Sequence, residues 1–97
     1  MHLKLPHSFS RQEAVARVQR LLMEAKPKLA GKVTIEGERW EGDVLHFAFT
    51  TQGQSISGQL EVKDKEYELN AKLPLMMRMF EGKIGKMIEE QSKQMLE

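Results

Sequence analysis

The sequence has no cysteine. That excludes disulfides, thiolate metal sites and cysteine nucleophiles, and it fits a reducing compartment. No run approaches the roughly 18 consecutive apolar residues that a membrane-spanning helix needs. The opening stretch "MHLKLPHSFS" has no apolar core of signal-peptide length. A soluble, cytoplasmic protein is expected. Internal repeats, low-complexity segments, linkers, nucleic-acid motifs and glycine-rich phosphate loops are also missing. What remains is 97 residues, enough for one domain spanning 1–97 with a single core.

The net charge of +1 is unevenly spread. Residues 1–32 carry seven Lys/Arg against two Asp/Glu, residues 33–74 four against eight, and residues 75–97 four of each. A basic third attracts phosphates in some proteins. Here Arg17 lies one helical turn from Glu13, and Arg20 one turn from Glu24, so much of the basicity is neutralised locally. A solvated helix face accounts for it, and no nucleic-acid partner is expected.

Residues 2–7 alternate, with Leu3 and Leu5 on one side, and read as a short strand that Pro6 ends or places at an edge. "SRQEAVARVQRLLMEAK" reads as a helix. Ser10 and Glu13 make a capping box, and Phe9 can staple against Ala14. Ala14, Val15, Val18, Leu21, Leu22 and Ala25 fall in an arc about 120° wide. Pro27 predicts an end or kink at Lys26. Four strands follow, "KVTIEG", "DVLHFAFT", "SISGQLEV" and "EYELNAKL", each alternating apolar and polar and joined by turns short enough for hairpins. Trp40 breaks parity with Val33 and Ile35, and a bulge at Gly37 would re-aim it.

Pro74 opens a last helix predicted to run to about Leu96. The fold class is therefore α+β, in the order β-α-β-β-β-β-α. A bent five-stranded antiparallel sheet would carry both helices on one face. At 100° per residue, Met76, Met77, Phe80, Ile84, Met87, Ile88 and Met95 form an apolar stripe about 120° wide, which packing on the sheet explains. Leu75, Met79, Gly82, Gly85 and Lys86 fall outside it. Two glycines in a helix interior cost about 1 kcal/mol each relative to alanine. Those five residues are the candidate partner-contact surface.

The histidines give no metal site. His2 and His7 have opposite strand parity, and three or four convergent ligands cannot be assembled. His46 with Glu61 or Glu68 is the nearest thing to an acid/base pair, but no nucleophile–base–orienter set exists, so no catalytic residue and no cofactor are predicted. His7 precedes the capped helix. It is expected to satisfy backbone groups there, with the mouth of a helix–sheet cavity as its alternative place.

Taken in order, several stretches resemble one family. "LPHSFSRQEAVARVQRL", "WEGDVLHF" followed by "SGQLEV", and "YELNAKLPLMMRMFEGKI" are similar to successive parts of the polyhydroxyalkanoic acid system protein family. The resemblance covers nearly the whole chain. Matching positions are His7, Ala14, Arg17, Trp40, Gly42, Asp43, Phe47, Gly58 and Leu73. The tail is richer in Met than the family pattern. The resemblance implies a small bacterial protein encoded near polyhydroxyalkanoate synthesis genes, and it brings no established catalytic residues. Three functions are then open. The first is a non-enzymatic accessory protein that meets polyhydroxyalkanoate granules or synthesis proteins through the C-terminal helix. The second is a small apolar-ligand binder of reduced START/Bet v 1-like architecture. The third is a homodimer joined through the Met79–Gly82–Gly85 face or a strand edge.

Overall fold

A computed structural model describes residues 1–95. In chain order the elements are β1 (His2–Pro6), α1 (Arg11–Leu29), β2 (Thr34–Glu41), β3 (Val44–Thr51), β4 (Gln54–Val62), β5 (Glu66–Lys72), α2 (Leu75–Arg78) and α3 (Glu81–Met95). The strands form one antiparallel sheet ordered β1-β5-β4-β3-β2. The α+β class and the five-stranded sheet agree with the sequence reading. The final helix is the difference: it is broken into α2 and α3.

Strand alternation sorts the residues. Leu3 pairs with Leu69, Leu5 with Tyr67, Tyr67 with Val62, and Leu60 with both Leu69 and Leu45, so one face is apolar. On the opposite face Arg39, His46, Gln59, Asn70 and His2 line up across all five strands. Trp40 joins the apolar face because β2 bulges. Ile35 pairs with Phe49 and Gly37 with the next residue, Ala48, so one residue of β2 is unmatched and parity flips. Glu38 lands on the apolar face by the same flip, where Lys26 reaches it from α1 at 2.9 Å.

Ser10 caps α1, its Oγ accepting from the Glu13 N–H at 3.1 Å. The Glu13 side chain turns instead to Arg17, one turn on. Pro27 predicts an end or kink of the helix at Lys26; the helix runs on to Leu29 with Pro27 inside its last turn. An exposed final turn loses only one hydrogen bond to the missing N–H, and water satisfies the freed carbonyl. α1 lays Ala14 and Val18 on Leu5, Leu45, Val62 and Tyr67, all buried, with Leu22, Trp40, Phe47, Leu60 and Ile88 packed around them. A fully buried Leu or Val contributes about 1.5–3 kcal/mol relative to an exposed one. This small cluster, more than helix propensity, seats α1.

Gly58 has no substitute. A Cβ there would lie 2.1 Å from the Asn70 carbonyl oxygen and 2.7 Å from the Ala71 Cα. At this point the direction a side chain would take runs into the β5 backbone, and backbone cannot yield as a side-chain end can. Gly58→Ala is expected to destabilise the fold by at least about 2 kcal/mol, read as a lowered urea midpoint. An unchanged midpoint would mean that β4 and β5 can part at little cost.

Candidate functional site

His7 is a polar side chain of the described residues that is buried with both ring nitrogens engaged. Its Nδ1 accepts from the Phe9 N–H at 3.2 Å, and its Nε2 lies 2.8 Å from the Lys63 carbonyl oxygen. Accepting at Nδ1 leaves Nε2–H to donate, so the hydrogen-bond network assigns the neutral Nε2–H tautomer. The ring sits 4.7 Å from Tyr67 and 6.0 Å from Phe9, and the Arg17 guanidinium covers Phe9 at 3.9 Å. Tyr67 donates to the Ala14 carbonyl at 3.4 Å, and burial pushes its phenol up from the ordinary value. Thus His7 fastens the β1–α1 connection to the β4–β5 turn. Both ring nitrogens are spent on backbone groups, and His7 lines neither of the two depressions described below.

The C-terminal arm departs from its predicted stripe. Phe80 N–H bonds to Met77 O, an i→i−3 step that tightens the chain between α2 and α3. That step shifts the rotational phase: Ile84 and Ile88 of the predicted stripe keep their inward place in α3, and Met87 does not. α3 faces the sheet with Glu81, Ile84, Gly85, Ile88 and Ser92, which are half-buried or buried at intervals of three and four. Gly85 meets Leu3: a Cβ there would be 3.2 Å from Leu3 Cδ2. Gly85 is therefore part of the seat on β1 and not of a partner surface, and a Met79–Gly82–Gly85 dimer face does not exist as one surface. Met76, Phe80 and Met87, predicted as core, are exposed. They join Leu75 and Met79, so five large apolar side chains stand 56–83% exposed on one arm. Gly82 and Lys86 are exposed too. The Met95 side chain lies outside the described part.

Between this arm and the sheet lies an open cleft of about 1130 Å³. Its floor is the cross-strand pair Gly58–Ala71, the smallest on the apolar face, flanked by Leu3, Phe47 and Leu73. A second depression of about 250 Å³ lies between α3 and β1. Neither is the enclosed apolar chamber expected of a START/Bet v 1-like binder. Within the larger cleft Arg78 is fixed by its Nε, which donates to the Leu73 carbonyl at 3.2 Å.

On the opposite, polar face one carboxylate stands out. Lys63 Nζ lies 2.6 Å from Glu68, and His2 hydrogen-bonds its other oxygen. The Lys63 hydrogen bond first, then that of His2, holds the Glu68 carboxyl down from 4.5 to about 2. The pair relieves the repulsion expected where Glu61 and Glu68 face each other across β4 and β5. His46 lies on the same face, but Gln59 is its partner across β4 and neither Glu61 nor Glu68 pairs with it. No group of three or more His, Asp or Glu converges among the described residues, and none of their helices is long and apolar enough to cross a membrane.

The chain matches, over residues 1–96, the family described as putative polyhydroxyalkanoic acid system protein. It belongs to that family, and membership is consistent with a polyhydroxyalkanoate-associated role. No curated protein and no solved structure matches it.

The two glycines of α3 are expected to answer differently. A Cβ at Gly82 meets nothing within 4 Å, so Gly82→Ala should raise stability by about 0.5 kcal/mol. Gly85→Val drives a branched side chain into Leu3 and should cost about 1–3 kcal/mol. Equal effects in denaturant melts would contradict the seating of α3 on β1.

Glu68 sets an acid dependence. Its folded pKa is below the unfolded value, so the stabilisation is complete above about pH 4.5 and disappears as pH falls through about 2. Glu68→Gln should flatten the decline of thermal stability across that window, and 0.5 M salt should shrink the difference because the pair is solvent-accessible. Parallel pH profiles for both proteins would rule the pair out as a contributor.

Proposed function

We propose that this protein is a non-enzymatic accessory factor of polyhydroxyalkanoate metabolism that adsorbs to the granule surface through its C-terminal arm. One observation supports the reading above others: Leu75, Met76, Met79, Phe80 and Met87 are all exposed on that arm. Single exposed apolar residues are ordinary, but five within one short stretch are not. The polymer is a polyester, and its surface is apolar. Segments with an apolar and a charged side adsorb to such boundaries by burying the apolar side. Here the apolar side chains already point to solvent, so adsorption needs no release of the helix. Lys83 and Lys86 are exposed beside them and can stay in water. The non-enzymatic part rests on how the polar groups are used. His7 is committed to two backbone partners, and Glu68 to Lys63 and His2.

The double variant Met79→Glu/Phe80→Glu changes only exposed positions and should fold normally by circular dichroism. Its co-sedimentation with isolated granules is expected to fall by roughly tenfold or more, since two apolar side chains no longer leave water. Undiminished co-sedimentation of the folded variant would remove the arm from the mechanism. Equal recovery of the native chain with synthesis proteins from cells that make no polymer would replace surface adsorption by a protein partner.

A further inference from the structure

The cleft beneath the arm is separate from the exposed apolar set. It is open, measures about 1130 Å³ and has an apolar floor with a cation at one end. The floor exists because two constraints coincide. Gly58 cannot carry a side chain, since β5 backbone occupies its place. Ala71, its cross-strand partner, contributes one methyl. No side chain of this pair rises to meet the arm, and Leu3, Phe47 and Leu73 border the gap.

Arg78 supplies the second observation. Its Nε is held by the Leu73 carbonyl at 3.2 Å, which fixes the plane of the guanidinium at the cleft. Among the described residues it forms no ion pair, so both terminal nitrogens remain available as a two-pronged donor. That fork matches a carboxylate. Lys86 also lines the cleft and adds positive charge. Of the two acids on the same lining, Glu81 is engaged by the Met1 amino group at 2.7 Å, and Glu89 lies two helical turns farther along α3.

We propose that the cleft is a binding site for an aliphatic monocarboxylate, the carboxylate on the Arg78 fork and the chain along the Gly58–Ala71 floor. An apolar gap alone would take any oily molecule. A guanidinium immobilised at its edge selects one with an anionic head, and the length of the floor selects one with a tail. The site shares no apolar contact with the arm's exposed side chains, so it stands or falls apart from granule adsorption.

Calorimetric titration of the full chain with decanoate, decanol and butyrate tests it. Decanoate should bind one to one. Decanol, which lacks the charge, and butyrate, which lacks the tail, should each bind at least about tenfold more weakly. Arg78→Gln should bring decanoate down to the level of decanol while leaving decanol unchanged. Ala71→Leu should fill the floor and weaken decanoate and decanol alike. Arg78 is exposed, so its variant keeps the test valid should Ala71→Leu fail to fold. Absence of decanoate binding by the native chain at millimolar concentration, or equal decanoate affinity for the native chain and Arg78→Gln, would overturn the proposal. Granule co-sedimentation of Arg78→Gln should equal that of the native chain.

Discussion

The covering of the apolar side of this molecule is divided by how closely two strands run at one place. At Gly58 the β5 backbone stands where a side chain would be. Elsewhere on that face the strands present Leu, Val, Tyr and Phe, and these draw α1 down until Ala14 and Val18 are sealed. At Gly58 and Ala71 there is nothing to draw a helix down. The covering of the sheet is therefore divided. One half is a packed core under α1, and the other is a gap bridged by a C-terminal arm that touches the sheet at its β1 edge.

The elements that depend on local chemistry were legible in the residues. Alternation placed the strands and their faces, the Ser10 cap placed the start of α1, and the parity conflict at Trp40 pointed to the Gly37 bulge that the register contains. What could not be read was rotational phase. The stripe through Met76, Phe80 and Met87 assumed one unbroken helix, and a single tightened turn at Phe80 cancels that assumption. The inner face of α3 keeps Ile84 and Ile88 from that stripe but adds a glycine, a glutamate and a serine, so hydrophobicity marks it only in part. Its signal was steric: Gly85 is where a helix comes closest to Leu3. The cleft was equally invisible, because it consists of side chains that are absent.

The positions at which the sequence resembles the family pattern take on physical meaning in this frame. His7, Ala14 and Arg17 belong to one connected cluster with Phe9 and Tyr67. The carbonyl of Asp43 accepts from Val62, and its carboxylate shares Arg11 with Asp64. Gly58 fixes the strand approach, and the Leu73 carbonyl holds Arg78. These residues keep the scaffold in shape. The residues offered to the outside, Leu75, Met76, Met79, Phe80 and Met87, lie almost wholly beyond them in the chain.

The seat of α3 on β1 also ties the arm to the longest closure in the fold. Among the described residues β1 pairs with β5, sixty or more residues later in the chain. The surface on which α3 rests has a fixed position only while that closure holds. The hairpins β2 through β5 pair neighbours in sequence, so the attachment of the arm is less supported by local contacts than they are. The arm therefore shares its anchorage with one edge strand, and what loosens β1 loosens the arm too.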